Sequence, residues 1–205
     1  RYSEPLTAAD NAITFRAVVN TIAARSGLCA DFSPKPLESA PGNGMHINFS
    51  ARADDGREIM PNVIAGILER ICEMTAFLNT TTGSYKRFGS NKAPKYVSWS
   101  SENRSQLVRI PAALGEYRRA ELRSPDPLCN PYLAFALLIW AGLDGIKNNS
   151  QLPEMADINL FNAPEEVTKK FATLPCDLFS ASKAAAESEF IKKHLPESII
   201  ENYCK

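Results

Sequence analysis

Apolar residues recur along this chain with two different periods, and the period changes from segment to segment. Over 8–24, Ala12, Phe15, Val18, Val19 and Ile22 fall at helical spacing and Gly27 follows as a stop, so the pattern predicts an amphipathic helix. A short strand is expected over 28–32. Residues 33–44 are rich in proline and glycine, read as loop, and close on Gly42, Asn43 and Gly44. A backbone lacking side chains can come close to a ligand there. From 45 the period drops to two: Met45, Ile47 and Phe49 are apolar, whereas His46, Asn48 and Ser50 are polar and share the opposite face. Helical spacing returns after the turn at Asp54, Asp55 and Gly56. Pro61 opens this second helix, and Val63, Ile67, Leu68, Ile71, Met74 and Leu78 give it a core face.

Beyond it, 80–94 reads as a polar loop carrying Tyr85, Lys86, Arg87 and Lys92, with strands expected near 96–100 and 106–110. The run 103–127 then sets Arg104, Arg109, Arg118, Arg119 and Arg123 beside Glu121 and Asp126. Strand alternation turns Arg119, Glu121 and Arg123 one way and Ala120 and Leu122 the other. Two readings of that row stand side by side. Guanidinium groups bind phosphates and carboxylates in a planar, bidentate fashion, and a carboxylate between them can hold a divalent metal, which makes a metal-nucleotide site. A solvated edge strand with surface ion pairs, each worth about 0–1 kcal/mol, explains the same letters. Asn130 and Pro131 cap the most apolar helix, expected to be buried and to end near Gly145. After an irregular stretch over 148–162, helices expected at 164–172, 182–193 and 196–203 read as packing material.

Composition narrows the class. With 205 residues and 44% hydrophobic content, one domain can bury roughly 70% of its unfolded surface. The 23 basic and 23 acidic residues cancel, so no net field draws the chain to nucleic acid or to an anionic membrane. The longest apolar run, 132–143, is shorter than the roughly 20 residues a bilayer span needs. Five cysteines without a C-x-x-C pair, and no signal-peptide pattern, fit a reducing cytoplasm. The chain opens on Arg1 rather than methionine and is expected to be a piece of a longer polypeptide. Of its two histidines, His194 falls in the last turn of a predicted helix, where a cation meets the helix dipole favourably. His46 on its polar strand face is the one open to chemistry.

Five segments carry a resemblance. GNGMHINFS (42–50), TTTGSYKRF (80–88), ENRSQLVRIP (102–111), RRAELRSPDP (118–127) and NPYLAFALLIWAGLDGI (130–146) stand in the order and near the spacing of glutamine synthetases, over essentially the whole chain. The resemblance implies an α/β (α+β) fold, a curved and mainly antiparallel sheet backed by helices. Residues 1–205 are expected to be the carboxyl-terminal part of the catalytic domain, incomplete because an amino-terminal domain and upstream glutamate ligands precede it in the family. It implies ATP and Mg²⁺ or Mn²⁺ as cofactors, with His46 and Glu121 as metal ligands. Arg104 would contact the transferring phosphoryl group and Arg109 the ATP phosphates. Substrate glutamate would lie against Gly42, Arg87 and Arg123, with Asn48 and Ser50 on the nucleotide side and Tyr2 at the adenine. The alternative for each arginine is a structural ion pair. Expected partners are L-glutamate and ammonia, or an amine, in a cytoplasmic homo-oligomer.

The sequence departs from the family pattern in places that bear on the reaction. Lys92 stands where the flap of the family carries a glutamate that helps take a proton from ammonium, in a loop one residue shorter. Glu116 replaces a lysine usually bound to ATP, Asn48 stands for a second histidine, Pro41 precedes Gly42, and Phe161 replaces the tyrosine that some members adenylylate. The leading expectation is amide formation on L-glutamate through a γ-glutamyl phosphate. A γ-glutamyl amine or polyamine ligase, kept open by Lys92, and a non-catalytic relative are the alternatives. This stretch alone is expected to bind metal weakly and not to turn over.

Overall fold

The computed structural model describes residues 2–90, 93–112 and 119–204. Its elements in chain order are α1 (Pro5–Arg25), β1 (Ile47–Phe49), α2 (Met60–Leu78), α3 (Thr82–Tyr85), β2 (Trp99–Ser100), β3 (Val108–Arg109), β4 (Ala120–Leu122), α4 (Pro131–Lys147), α5 (Glu165–Thr168), α6 (Leu178–Glu187), α7 (Glu189–His194) and α8 (Glu197–Tyr203). The class is mixed α/β. A small sheet of order β1-β4-β3-β2 is antiparallel at β1–β4 and β3–β4 and parallel only at β2–β3, so the mainly antiparallel arrangement expected from sequence is the one found.

Pairing alternation makes the sheet two-faced. Ile47, Val108, Ala120 and Leu122 are buried in one hydrophobic core with residues of α2, α4 and α6. Backbone bonds carry the pairing past the short ladders, from Met45 N to Pro125 O at 2.9 Å and from Arg123 N to Leu107 O at 3.0 Å. α2 packs most extensively on α4 and next on α6. The α2–α4 crossing is close because glycines meet there: a Cβ on Gly66 would lie 2.2 Å from the Ala141 carbonyl, and one on Gly145 would lie 2.2 Å from the Asn62 carbonyl. Asn130 caps α4 by accepting from Tyr132 N at 3.0 Å, and all six apolar positions assigned to the α2 core face are buried.

Several expectations are corrected. Among the described residues, 28–32 pairs with nothing and forms no strand, because a strand exists only through a ladder partner. The stretch after α2 is more than a polar loop: α3 forms within it, and Ser84, Tyr85 and Arg87 are buried. α4 is half-buried, leaving Tyr132, Ile139, Trp140 and Leu143 on an exposed face. The 182–193 helix is two helices, since Ser188 ends α6 and caps α7 by accepting from Ile191 N at 3.1 Å. The 164–172 helix shortens to α5. His194 closes α7 but stacks on Trp140 with ring centroids 4.3 Å apart. Burial and then Lys193 depress its pKa, so it packs as a neutral ring rather than as a cation at the helix dipole.

Candidate functional site

Cross-strand register builds the site. Asn48 and Arg109 both lie opposite Glu121, from the two strands flanking β4. Directly opposed residues share a face, and residues two apart along a strand share it too. His46, Asn48, Arg109, Arg119, Glu121 and Arg123 therefore gather on the side of the sheet away from the helices. The edge-strand reading of the row fails at its centre, since Glu121 is only 8% exposed and Arg123 only 3%.

Glu121 is the hub. Its Oε1 lies 3.0 Å from His46 Nδ1. Its Oε2 accepts from Arg109 Nε at 2.8 Å and from Arg123 Nη1 at 2.9 Å. Burial alone would raise the Glu121 pKa, but Arg123, His46 and Arg109 outweigh it and hold the carboxyl below its ordinary value. His46 is pulled two ways. Burial and Arg123 depress it, against the pull of Glu121, and the net direction is down, so the imidazole is neutral at pH 7 and its Nδ1–H donates to Oε1. The hub therefore pairs one carboxylate with two guanidinium groups and a neutral ring. Farther along β1, Arg119 Nε donates to Asn48 Oδ1 at 3.0 Å.

A hollow lies at each end of this row. At the His46 end a cavity of ≈ 270 Å³ is lined by Lys35, Gly42, Gly44, His46, Arg87 and Arg123, among others. Its charged lining is cationic, which suits a carboxylate or phosphate. At the Ser50 end a second cavity of ≈ 270 Å³ mixes Ser50, Arg52, Glu58 and Arg119 with the apolar Met60 and Ile110. That lining suits a ligand with both an apolar ring and charged groups.

His46, Glu121, Arg109, Arg123, Arg87 and Gly42 are brought together, Asn48 joins through Arg119, and Ser50 opens the second cavity. Arg104 is exposed beside the hub, where its carbonyl accepts from Arg123 Nε at 3.2 Å. Tyr2 is 80% exposed and lines neither cavity. Lys92, Glu116 and Arg118 lie outside the described residues. Sequence reasoning missed Lys35, whose Nζ donates to the Ala40 carbonyl. The pair of prolines around it, Pro34 and Pro36, was the available signal, since they fix a loop lysine just ahead of the glycines.

The donor set fits part of a divalent metal site. Two ligands about 2.1 Å from one ion at a right angle stand about 3 Å apart, and His46 Nδ1 and Glu121 Oε1 are separated by 3.0 Å. An ion there would need the Nδ1 lone pair, which a neutral imidazole offers once its single ring proton sits on Nε2 instead. Among the described residues no third His, Cys, Asp or Glu completes a cluster, so the two donors would supply only a fraction of a six-coordinate shell.

The family model described as "Glutamine synthetase, catalytic domain" matches residues 1–205. Glutamine synthetase of Clostridium saccharobutylicum is 42% identical over 218 residues, covering 99% of this chain and 49% of that protein. Glutamine synthetase of Methanosarcina mazei is 42% identical over 219 residues, with 99% and 49% covered. A solved GmaS/ADP complex aligns with a TM-score of 0.86 at 29% identity, covering 100% of this chain and 50% of that one. GmaS without ligand aligns with a TM-score of 0.85 at 30% identity. The chain spans about half the length of the relatives it matches. No helix among the described residues is long and apolar enough to cross a membrane.

Proposed function

Because this chain belongs to the glutamine synthetase catalytic-domain family, we propose that it serves an ATP-dependent ligase making L-glutamine from L-glutamate and ammonia. Residues 1–205 are, on this reading, the carboxyl-terminal part of the catalytic domain of a cytoplasmic homo-oligomer. The observation that carries the proposal is the Glu121 hub, with His46 3.0 Å away on one side and two guanidinium groups on the other, next to a cation-lined cavity.

The reaction has two steps. An oxygen of the substrate's γ-carboxylate attacks the terminal phosphorus of ATP and ADP leaves. Ammonia then attacks the carbonyl carbon, phosphate leaves, and a proton is released. Phosphoryl transfer is accelerated mainly by positioning and by fixed positive charge around the phosphoryl oxygens. Arg104, exposed and unburdened by burial, reaches toward the phosphoryl group. Arg109 keeps one edge on Glu121 and turns its remaining N–H groups to the ATP phosphates. Mg²⁺ or Mn²⁺ held by His46 and Glu121 would neutralise phosphate charge and align the terminal phosphoryl group. Gly42, Arg87 and Arg123 hold glutamate in the first cavity. Asn48 and Ser50 face the nucleotide at the second cavity, and nucleotide use itself is supported by the related GmaS structure being a complex with ADP.

Phosphate release by the full-length protein with glutamate plus ammonium tests this reading. Release confirms it, and none with either ammonium or putrescine favours a non-catalytic relative. Lys92 supports a second reading in which an amine is the acceptor, since a protonated lysine cannot attract ammonium or act as its base. Lys92→Glu is expected to raise ammonium use, and an unchanged rate removes the reason for that reading. Calorimetric titration of Mg-ATP should show weak binding to residues 1–205 and tight binding to the full-length protein. Similar tight binding in both contradicts the view that two protein ligands are too few.

A further inference from the structure

Arg87 is an unusual cavity residue because its charge is almost wholly inside the protein, at 3% exposure. Three of its five N–H groups are committed: Nε to the Ser84 carbonyl at 3.2 Å, Nη1 to the Asn43 carbonyl at 3.0 Å, and Nη2 to the Ser124 carbonyl at 2.7 Å. These carbonyls fix the direction of the side chain but cancel none of its charge. On the cavity side it is pinned by Gly42, where a Cβ would lie 2.7 Å from Arg87 Cγ.

The counter-charge lies behind it. Asp126 is fully buried, and its Oδ2 stands 4.0 Å from Arg87 Nη2. One oxygen of Asp126 has an ordinary structural task, since Oδ1 accepts from Leu128 N at 2.9 Å in the turn leading to α4. Oδ2 takes no hydrogen bond of ordinary geometry from the described residues, although the Ser84 hydroxyl lies near enough to favour the ionised carboxyl, ahead of Arg87. A buried carboxylate oxygen without a partner is destabilising, and so is a buried guanidinium without a counter-ion. The two defects offset one another. Burial depresses the Arg87 pKa, and Asp126 is the first group that opposes it.

We propose that Asp126 is a positioning residue that holds the Arg87 guanidinium aimed at the first cavity, and thereby sets the cavity's affinity for the carboxylate of its substrate. The identity of that substrate, L-glutamate, rests on the reading above. The position of Arg87 does not. Glu121 pairs with Arg109 and Arg123 and makes no ion pair with Arg87, so the face has two separate anion-to-guanidinium supports.

The test is a double-mutant cycle in the full-length protein, with a crystal structure of Asp126→Asn. Asn keeps the shape and removes the charge. The KM for glutamate is expected to rise about tenfold in Asp126→Asn, with kcat and the KM for ATP within about twofold. Arg87→Gln should raise it at least as far, and the double variant should be no worse than Arg87→Gln alone. A role confined to folding would lower the melting temperature and leave the glutamate KM of the folded enzyme unchanged, which overturns the proposal, as do additive effects. If Asp126→Asn does not fold, the double variant, lacking both charges, should recover soluble protein; equal failure overturns it. If the wild type ignores glutamate, the substrate reading fails, and the crystal structure alone decides the role of Asp126. Arg87 displaced from the Ser124 carbonyl supports it, and Arg87 unmoved ends it.

Discussion

α1 and α2 carry similar patterns and meet opposite fates. Each is a helix of about five turns with apolar residues at helical spacing, yet α2 buries twelve of its 19 residues and α1 buries Ala9 alone among 21. Phe15, Val18 and Ile22, the face that the pattern assigns to packing, are 61%, 48% and 58% exposed. α1 is tethered mainly by polar contacts, from Arg16 Nη1 to the Pro127 carbonyl at 2.7 Å and from the Tyr132 hydroxyl to Asp10 at 2.6 Å, with Phe15 meeting the Phe32 ring edge-on at 6.5 Å between centroids. Periodicity dictates which face of a helix is apolar, while the rest of the fold dictates whether anything lies against it. The same holds for 28–32, extended in expectation and unpaired among the described residues.

Mutations measure that contrast. Ile71 on α2 is fully buried, so Ile71→Ala is expected to cost about 2–5 kcal/mol in urea unfolding, while Val18→Ala on α1 should stay within about 0.5 kcal/mol. Comparable losses at both positions would break the distinction. Gly66→Ala comes next, at about 1–3 kcal/mol, because its methyl would force α2 from α4; thermal unfolding reads it directly. Smaller still is Glu121→Gln, which leaves Arg109 and Arg123 facing a neutral amide and should cost about 1–2 kcal/mol by the same measurement.

The smallest effect is in pH dependence. Glu121 lies below its ordinary 4.5 and His46 below its ordinary 6.5 when folded. As pH falls, the unfolded chain takes up each proton first, so stability declines on acidification from about 6.5 and again from about 4.5, down through the folded values. Asp126, raised chiefly by burial, slopes the opposite way. The informative quantity is therefore the difference between wild type and Glu121→Gln, which should shrink as the medium becomes more acidic. A gap that does not change with pH would show that the Glu121 charge adds nothing to folding.

Local signals made much of the site legible. Strict alternation over 45–50 and 119–123 placed His46, Glu121 and Arg123 on polar faces, and the strand register then brought those faces together. Buried polar support was not legible. Arg87 sits in a segment that reads as a polar loop and Asp126 at the end of a charged run of strand and turn, and only a three-dimensional path that folds 87 against 124 and 126 turns them inward. α3 was hidden for a related reason: its capping box, Thr81 with Ser84, spans a single turn, too short for any periodicity to show. Half-exposure of α4 likewise depends on neighbours, which an all-round apolar stretch cannot name.

Anomalous diffraction from crystals of the full-length protein soaked in Mn²⁺ and ATP tests the account most directly. A manganese peak in contact with both His46 Nδ1 and Glu121 Oε1, with the Arg109 guanidinium on the ATP phosphates, is the predicted result. Manganese and nucleotide bound elsewhere, with the His46–Glu121 hydrogen bond intact, would contradict it.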